Sequence, residues 1–180
     1  MLNTILGSLS AGAGAANSYE SIATVTVGSG GSSSISFTSI PSDYTHLQIR
    51  TFSRISGQSY GLLRFNSDSS SVYGTHFLYG DGANAQATAN LPASNIFAIY
   101  VGSGSNIFGA GIVDILDYTN TNKFTTTRSL TGADENGSGV ILLLSGLWRN
   151  TAAITSIEIL PNASTFAQYS HFALYGIKGA

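Results

Sequence analysis

From Tyr19 onward the chain is built of short runs in which apolar and polar residues alternate, each run stopped by glycine, proline, asparagine or aspartate. A period of two puts successive side chains on opposite faces of an extended strand, whereas a helix needs apolar residues three and four apart. Residues 21–27 set Ile22, Thr24 and Thr26 against Ala23, Val25 and Val27 and end in a glycine-rich loop. Ile35 and Phe37 alternate with serine until Pro41 stops the run, and Leu47 and Ile49 point inward against His46, Gln48 and Arg50. Runs at 62–65 and 75–79 flank a polar loop, and Asp81-Gly82 supplies a turn. Residues 96–101 and 112–116 are denser in apolar side chains, as strands covered on both faces would be. Phe124, Thr126, Arg128 and Leu130 share a face of a run that closes before Asn136-Gly137, a favoured hairpin pair. Residues 140–144 are nearly all aliphatic, Ile157 and Ile159 point together until Pro161, and a last run spans 169–177.

About ten strands at a spacing of roughly 10–15 residues indicate an all-β chain folded as an antiparallel sandwich or barrel. A βαβ sheet would need amphipathic helices between the strands, and a solenoid would need a fixed repeat. The one stretch with room for a helical turn is 83–93. The expectation is therefore a jelly-roll-like antiparallel β-sandwich over residues 19–180, preceded by an anchoring arm and Ala/Gly linker at 1–18. In that arm Leu2, Ile5, Leu6 and Leu9 are spaced to share one face of an extended or short helical segment, and the Ala/Gly run behind them has almost no side chain to bury. The arm lacks the basic start and the long apolar run of a secretory signal, and no stretch approaches the ~18 apolar residues of a membrane span.

Composition narrows the function. Only 9% of residues are charged and the net charge is -2, which offers no basic stripe for nucleic acid. The chain has no cysteine, so disulfides, thiolate metal sites and cysteine nucleophiles are excluded. His46, His76 and His171 each sit in a strand run, and no G-x-S-x-G elbow or phosphate-binding glycine loop accompanies them. Asp114 with Asp117, and Asp134 with Glu135, are better suited to turns or to an ion pair with Arg128 than to paired-carboxylate catalysis or calcium binding. The expectation is a protein that is not an enzyme and uses no metal or cofactor. A surface this short of charge is weakly defended against association, which points to other proteins as partners. Tyr79, Tyr118 and Trp148 fall at strand ends, where aromatic rings stack on sugars or anchor protein interfaces.

Several segments carry a family resemblance. Ser18-Tyr19-Glu20-Ser21-Ile22-Ala23-Thr24, Phe37-Thr38-Ser39-Ile40-Pro41-Ser42-Asp43-Tyr44-Thr45-His46-Leu47, Asp117-Tyr118-Thr119-Asn120-Thr121-Asn122-Lys123 and Ser145-Gly146-Leu147-Trp148-Arg149 resemble small virion proteins of tailed bacteriophages, and so does the closing Phe172-Ala173-Leu174-Tyr175-Gly176-Ile177-Lys178-Gly179-Ala180. Such proteins are frequent in aquatic phages, including those of cyanobacteria. The resemblance implies a structural component located in the virion: a capsid cement (decoration) protein, or a tail or fibre part whose head binds host glycan. The partners it implies are further copies, expected as a homotrimer, and the major capsid or tail proteins.

Overall fold

The computed structural model describes residues 18–57 and 59–179. The arm residues Leu2, Ile5, Leu6 and Leu9 lie outside the described residues. Within them each alternating run forms a strand: β1 (Tyr19–Thr26), β2 (Ile35–Phe37), β3 (His46–Ser53), β4 (Ser59–Phe65), β5 (Tyr73–Gly80), β6 (Ala85–Ala93), β7 (Ile96–Val101), β8 (Gly109–Leu116), β9 (Thr125–Asp134), β10 (Gly139–Trp148), β11 (Ile157–Pro161) and β12 (His171–Ile177). They form two antiparallel sheets, a large one in the order β1-β12-β3-β8-β9-β10-β5-β6 and a small one in the order β2-β11-β4-β7. The pairing nests: β1 takes β12, β2 takes β11, β3 takes β8 and β4 takes β7. The β5–β6 and β9–β10 hairpins both add to the large sheet beyond β8. Their turns carry the expected chemistry. Asn136 (φ 57°) and Gly137 (φ 106°) both take left-handed backbone at the centre of the β9–β10 loop, and Gly82 (φ 88°) leads the β5–β6 turn.

One element differs in kind from expectation. Residues 85–93 form strand β6 and not a helical turn. β6 is an edge strand exposed on both sides, so no apolar face marks it in the sequence. Its Leu91 and Pro92 fall where the β5–β6 register shifts, the kind of position at which a sheet tolerates proline.

The two sheets share one core. Leu47, Ile49, Val113, Ile115, Phe172 and Leu174 from the large sheet meet Ile35, Phe37, Leu63, Ile96, Ile99, Ile157 and Ile159 from the small one, all buried. A second cluster, Phe77, Tyr100, Ala133, Leu142 and Leu144, lies beneath the β10–β5 side and is closed by Tyr60 and Phe97. Its rings meet edge to face, Tyr60–Phe97 at 5.0 Å and Phe77–Phe97 at 5.5 Å between centroids. β7 is the free edge of the small sheet, and its backbone is occupied from across the core. The Phe97 N–H donates to Thr75 Oγ1 (3.1 Å) and the Tyr100 N–H to Thr131 Oγ1 (2.9 Å). Thr131 is one of four small polar residues, with Thr125, Thr127 and Ser129, buried along the inner face of β9, where aliphatic residues would be ordinary; its hydroxyl is the one that reaches the β7 backbone.

Trp148, Tyr73 and Phe65 close one end of the core, with Tyr73 and Trp148 stacked at 6.3 Å. Burial pushes the Tyr73 hydroxyl up to about 12. Asp68 caps this cluster: its carboxylate accepts the Ser70 hydroxyl and backbone N–H, the Trp148 indole N–H (3.0 Å) and the Asn150 amide. The Ser70 hydroxyl, seconded by Trp148, holds the Asp68 carboxyl down at about 2, against the usual 3.8. Stability from a depressed carboxyl is fully present above its unfolded value and is lost as pH falls through the folded one. Asp68→Asn is therefore expected to flatten the pH dependence of the urea midpoint between about pH 4 and pH 2, and Asp68→Ala to cost about 1–2 kcal/mol at pH 7 through the lost charge-assisted bonds.

Candidate binding face

Among the described residues, the small sheet covers one face of the large sheet's middle strands and leaves the other face to solvent. On β8, Val113 and Ile115 are buried while Ile112 is exposed; on β10, Leu142 and Leu144 are buried while Ile141 and Leu143 are exposed. Of the two dense apolar runs expected to be covered on both faces, 96–101 (β7) is buried along nearly its whole length, whereas 112–116 (β8) is covered on one side only. The ladders align these outward residues. Ile112 lies opposite Leu130, Leu130 opposite Leu143, and Leu143 opposite Leu78, giving one aliphatic ridge across β8, β9, β10 and β5. These four and Ile141 are 42–62% exposed.

The next row toward the hairpin turns is its opposite. Ala110, Gly132 and Gly80 lie in register there with Ile141, so most of the row has little or no side chain. The result is a groove of about 960 Å³ beside the ridge. Phe108, stacked on Phe52 (4.9 Å, 11° between planes), lines one end, and Gly80 and Asp81 line the other, with Ile141 between them. Gly132 is fixed by local geometry, since a Cβ there would come within 2.6 Å of the Val140 carbonyl oxygen. A smaller groove of about 410 Å³ runs along the other side of the ridge, past His76, Leu116, Thr126 and Arg128.

Charge frames the face. Along the outward side of β9 the residues run Arg128, Leu130, Gly132, Asp134, positive at one end and negative at the other. Arg128 donates to Asp114 (2.8 Å), which also accepts from Gln48 (2.8 Å), and Gln48 in turn accepts from Arg50 (3.0 Å). Arg50 lies over the rings of Tyr175 and Tyr19, at 5.1 and 5.7 Å. At the opposite end the backbone N–H groups of Asn84 and Ala83 hold the Asp81 carboxyl below its usual range. Asp134 accepts the Asn136 N–H (2.9 Å). Glu135 turns away, accepting from Ser103 N–H (2.8 Å), Ser103 hydroxyl and Gly104 N–H.

The sequence-predicted aromatics divide. Trp148 and Tyr118 are buried and are core residues, a correction to their reading as exposed rings. Trp148 alternates inward on β10, and Tyr118 points its hydroxyl at the Pro41 carbonyl. Tyr79 is half-buried against the second cluster. Asp114 does pair with Arg128, as its spacing suggested, while Asp117 sits in a turn with Lys123 and His46. His76 faces solvent on the large sheet and His171 meets the Thr26 hydroxyl (3.0 Å), so the three imidazoles are not brought together. Among the described residues no group of three His, Cys, Asp or Glu is placed to hold a metal ion.

The apolar face is what sequence reasoning missed. Its signal was aliphatic residues at the outward positions of otherwise alternating runs, Leu130 beside Arg128 above all. Neighbours on β10 should separate the two faces in urea denaturation. Ile141→Ala is expected to change stability by less than about 0.5 kcal/mol, and Leu142→Ala to cost about 2–5 kcal/mol.

Comparison with protein-family models, with curated proteins and with solved structures finds no match.

Proposed function

We propose that this protein is a non-enzymatic structural component of a tailed-phage virion, a capsid cement protein that assembles through its N-terminal arm and its sheet surface. The observation that carries the reading is the aliphatic ridge on the outer face of the large sheet, since a contiguous exposed apolar patch marks a surface that meets another macromolecule. Strand order adds support. Nested pairs β1–β12, β2–β11, β3–β8 and β4–β7, split between two sheets, read as a β-sandwich of jelly-roll type with two hairpins added to one sheet. Jelly rolls recur in viral capsid proteins and in lectins, a fold-level analogy that assigns no site. Many copies on a shell make modest contacts collectively strong. Leu2, Ile5, Leu6 and Leu9 would each add roughly 1.5–3 kcal/mol if fully buried against a neighbour, before the ordering of the arm is subtracted.

A second reading, a tail or fibre component whose head binds host-surface carbohydrate, rests on a different observation. Tyr169 is 68% exposed and held at φ 72° in the loop before β12, an uncommon backbone for a residue with a bulky side chain. Glycan-array binding lost in Tyr169→Ala would favour it over the cement reading.

Quantitative mass spectrometry of purified particles tests the first reading. The full chain is expected at hundreds of copies per particle, and a chain lacking residues 1–16 is expected to fold with an unchanged thermal midpoint yet be absent from particles. Normal incorporation of the shortened chain overturns the arm's part, and absence of the full chain from particles overturns the virion assignment.

A further inference from the structure

We propose that two copies of this chain associate through the outer faces of their large sheets, related by a two-fold axis that crosses the strands at the level of Thr131. The occupant of the apolar face is thus a second copy, and the inference stands apart from the particle reading because the isolated protein tests it.

The outer face is complementary to itself. A two-fold axis in the plane between two facing sheets, perpendicular to the strands, lays each strand antiparallel on its own counterpart and exchanges positions equally spaced from the axis. Leu130 and Gly132 are one residue either side of Thr131, so the Leu130 side chain of each copy enters the space above Gly132 of the other. The same operation runs along the ladders. Ile112 falls over Ala110, and Leu78 over Gly80, so the ridge of one copy fills the groove of about 960 Å³ in the other. Leu143 and Ile141 then pack on each other. Sheets packed face to face sit about 10 Å apart, which suits aliphatic side chains of one layer interleaving with bare positions of the next.

Charge selects the same arrangement. Arg128 and Asp134 are three residues either side of Thr131, so each arginine of the pair falls over the other copy's aspartate at both ends of the contact. Arg50 falls over Phe52, half-exposed and stacked on Phe108, as a cation over a ring. The alternative two-fold, along the strands, would set ridge on ridge and Arg128 on Arg128. Nothing in the face fits it.

Sedimentation or light scattering of the full chain from about 1 to 200 µM tests the proposal. The wild-type chain is expected to pass from 18.7 kDa to twice that mass, with a dissociation constant below about 100 µM. Leu130→Lys is expected to keep the thermal midpoint, since the side chain is exposed, and to raise the dissociation constant at least ~100-fold. Arg128→Glu and Asp134→Arg singly are expected to weaken the dimer about tenfold or more, and together to recover part of that loss, because the swapped charges again face each other while Asp114 is left without its arginine. A wild-type chain that stays monomeric to 200 µM, a dimer or trimer indifferent to Leu130→Lys, or a double variant no better than the singles would each overturn it.

Discussion

Four strands cannot cover eight. The small sheet buries one face of the large sheet's middle strands, and the β5–β6 and β9–β10 hairpins lengthen the large sheet without adding to the small one. Every notable surface feature follows from that mismatch. Aliphatic residues sit on both sides of β8 and β10, but burial is available on one side only, so a hydrophobic ridge and a groove of glycine and alanine stay in contact with water. Single exposed apolar residues are ordinary on a folded protein, whereas an aligned row across four strands is not.

The interior answers a different demand. β7 ends the small sheet, and an open strand edge invites pairing with another chain. Here the large sheet reaches across with threonine hydroxyls and takes up the Phe97 and Tyr100 N–H groups. The hydroxyls that do this, Thr75 and Thr131, lie on β5 and β9, so β7 is held against the added hairpins as well as against its own sheet. Polar residues at core positions thus lock the two layers in register, a role aliphatic side chains cannot fill because they offer no acceptor. Capping at the far end works in the same way, with Asp68 binding Trp148 of one sheet from the loop that leaves β4 of the other.

Most of the strand pattern was legible in the sequence because alternation reports burial. Leu47 and Ile49 on β3, the Asn136-Gly137 turn and the shared outward face of Thr126, Arg128 and Leu130 all read correctly, since each expresses a local rule. β6 was hidden because an edge strand with no buried face leaves no periodic trace. The candidate face was hidden for the reverse reason. Aliphatic density at 112–116 and 140–144 says that side chains avoid water but not which layer will cover them, and the answer depends on how many strands reach the other sheet. Trp148 and Tyr118 were misread as surface rings because position near a strand end says little about depth when the core extends to the end of the sheet.

The nesting of strands also sets a timetable. Among the described residues β1 pairs only with β12, and Thr26 finds His171 145 residues further along the chain; β2 likewise has β11 alone there. A ribosome emitting this chain releases its first two strands long before their partners exist, while the β5–β6 hairpin has both halves almost at once. Loops of that length close slowly and fold late. The earliest-made strands are the last to be sheltered, so the interval between synthesis and closure is when this molecule is most open to capture by its neighbours.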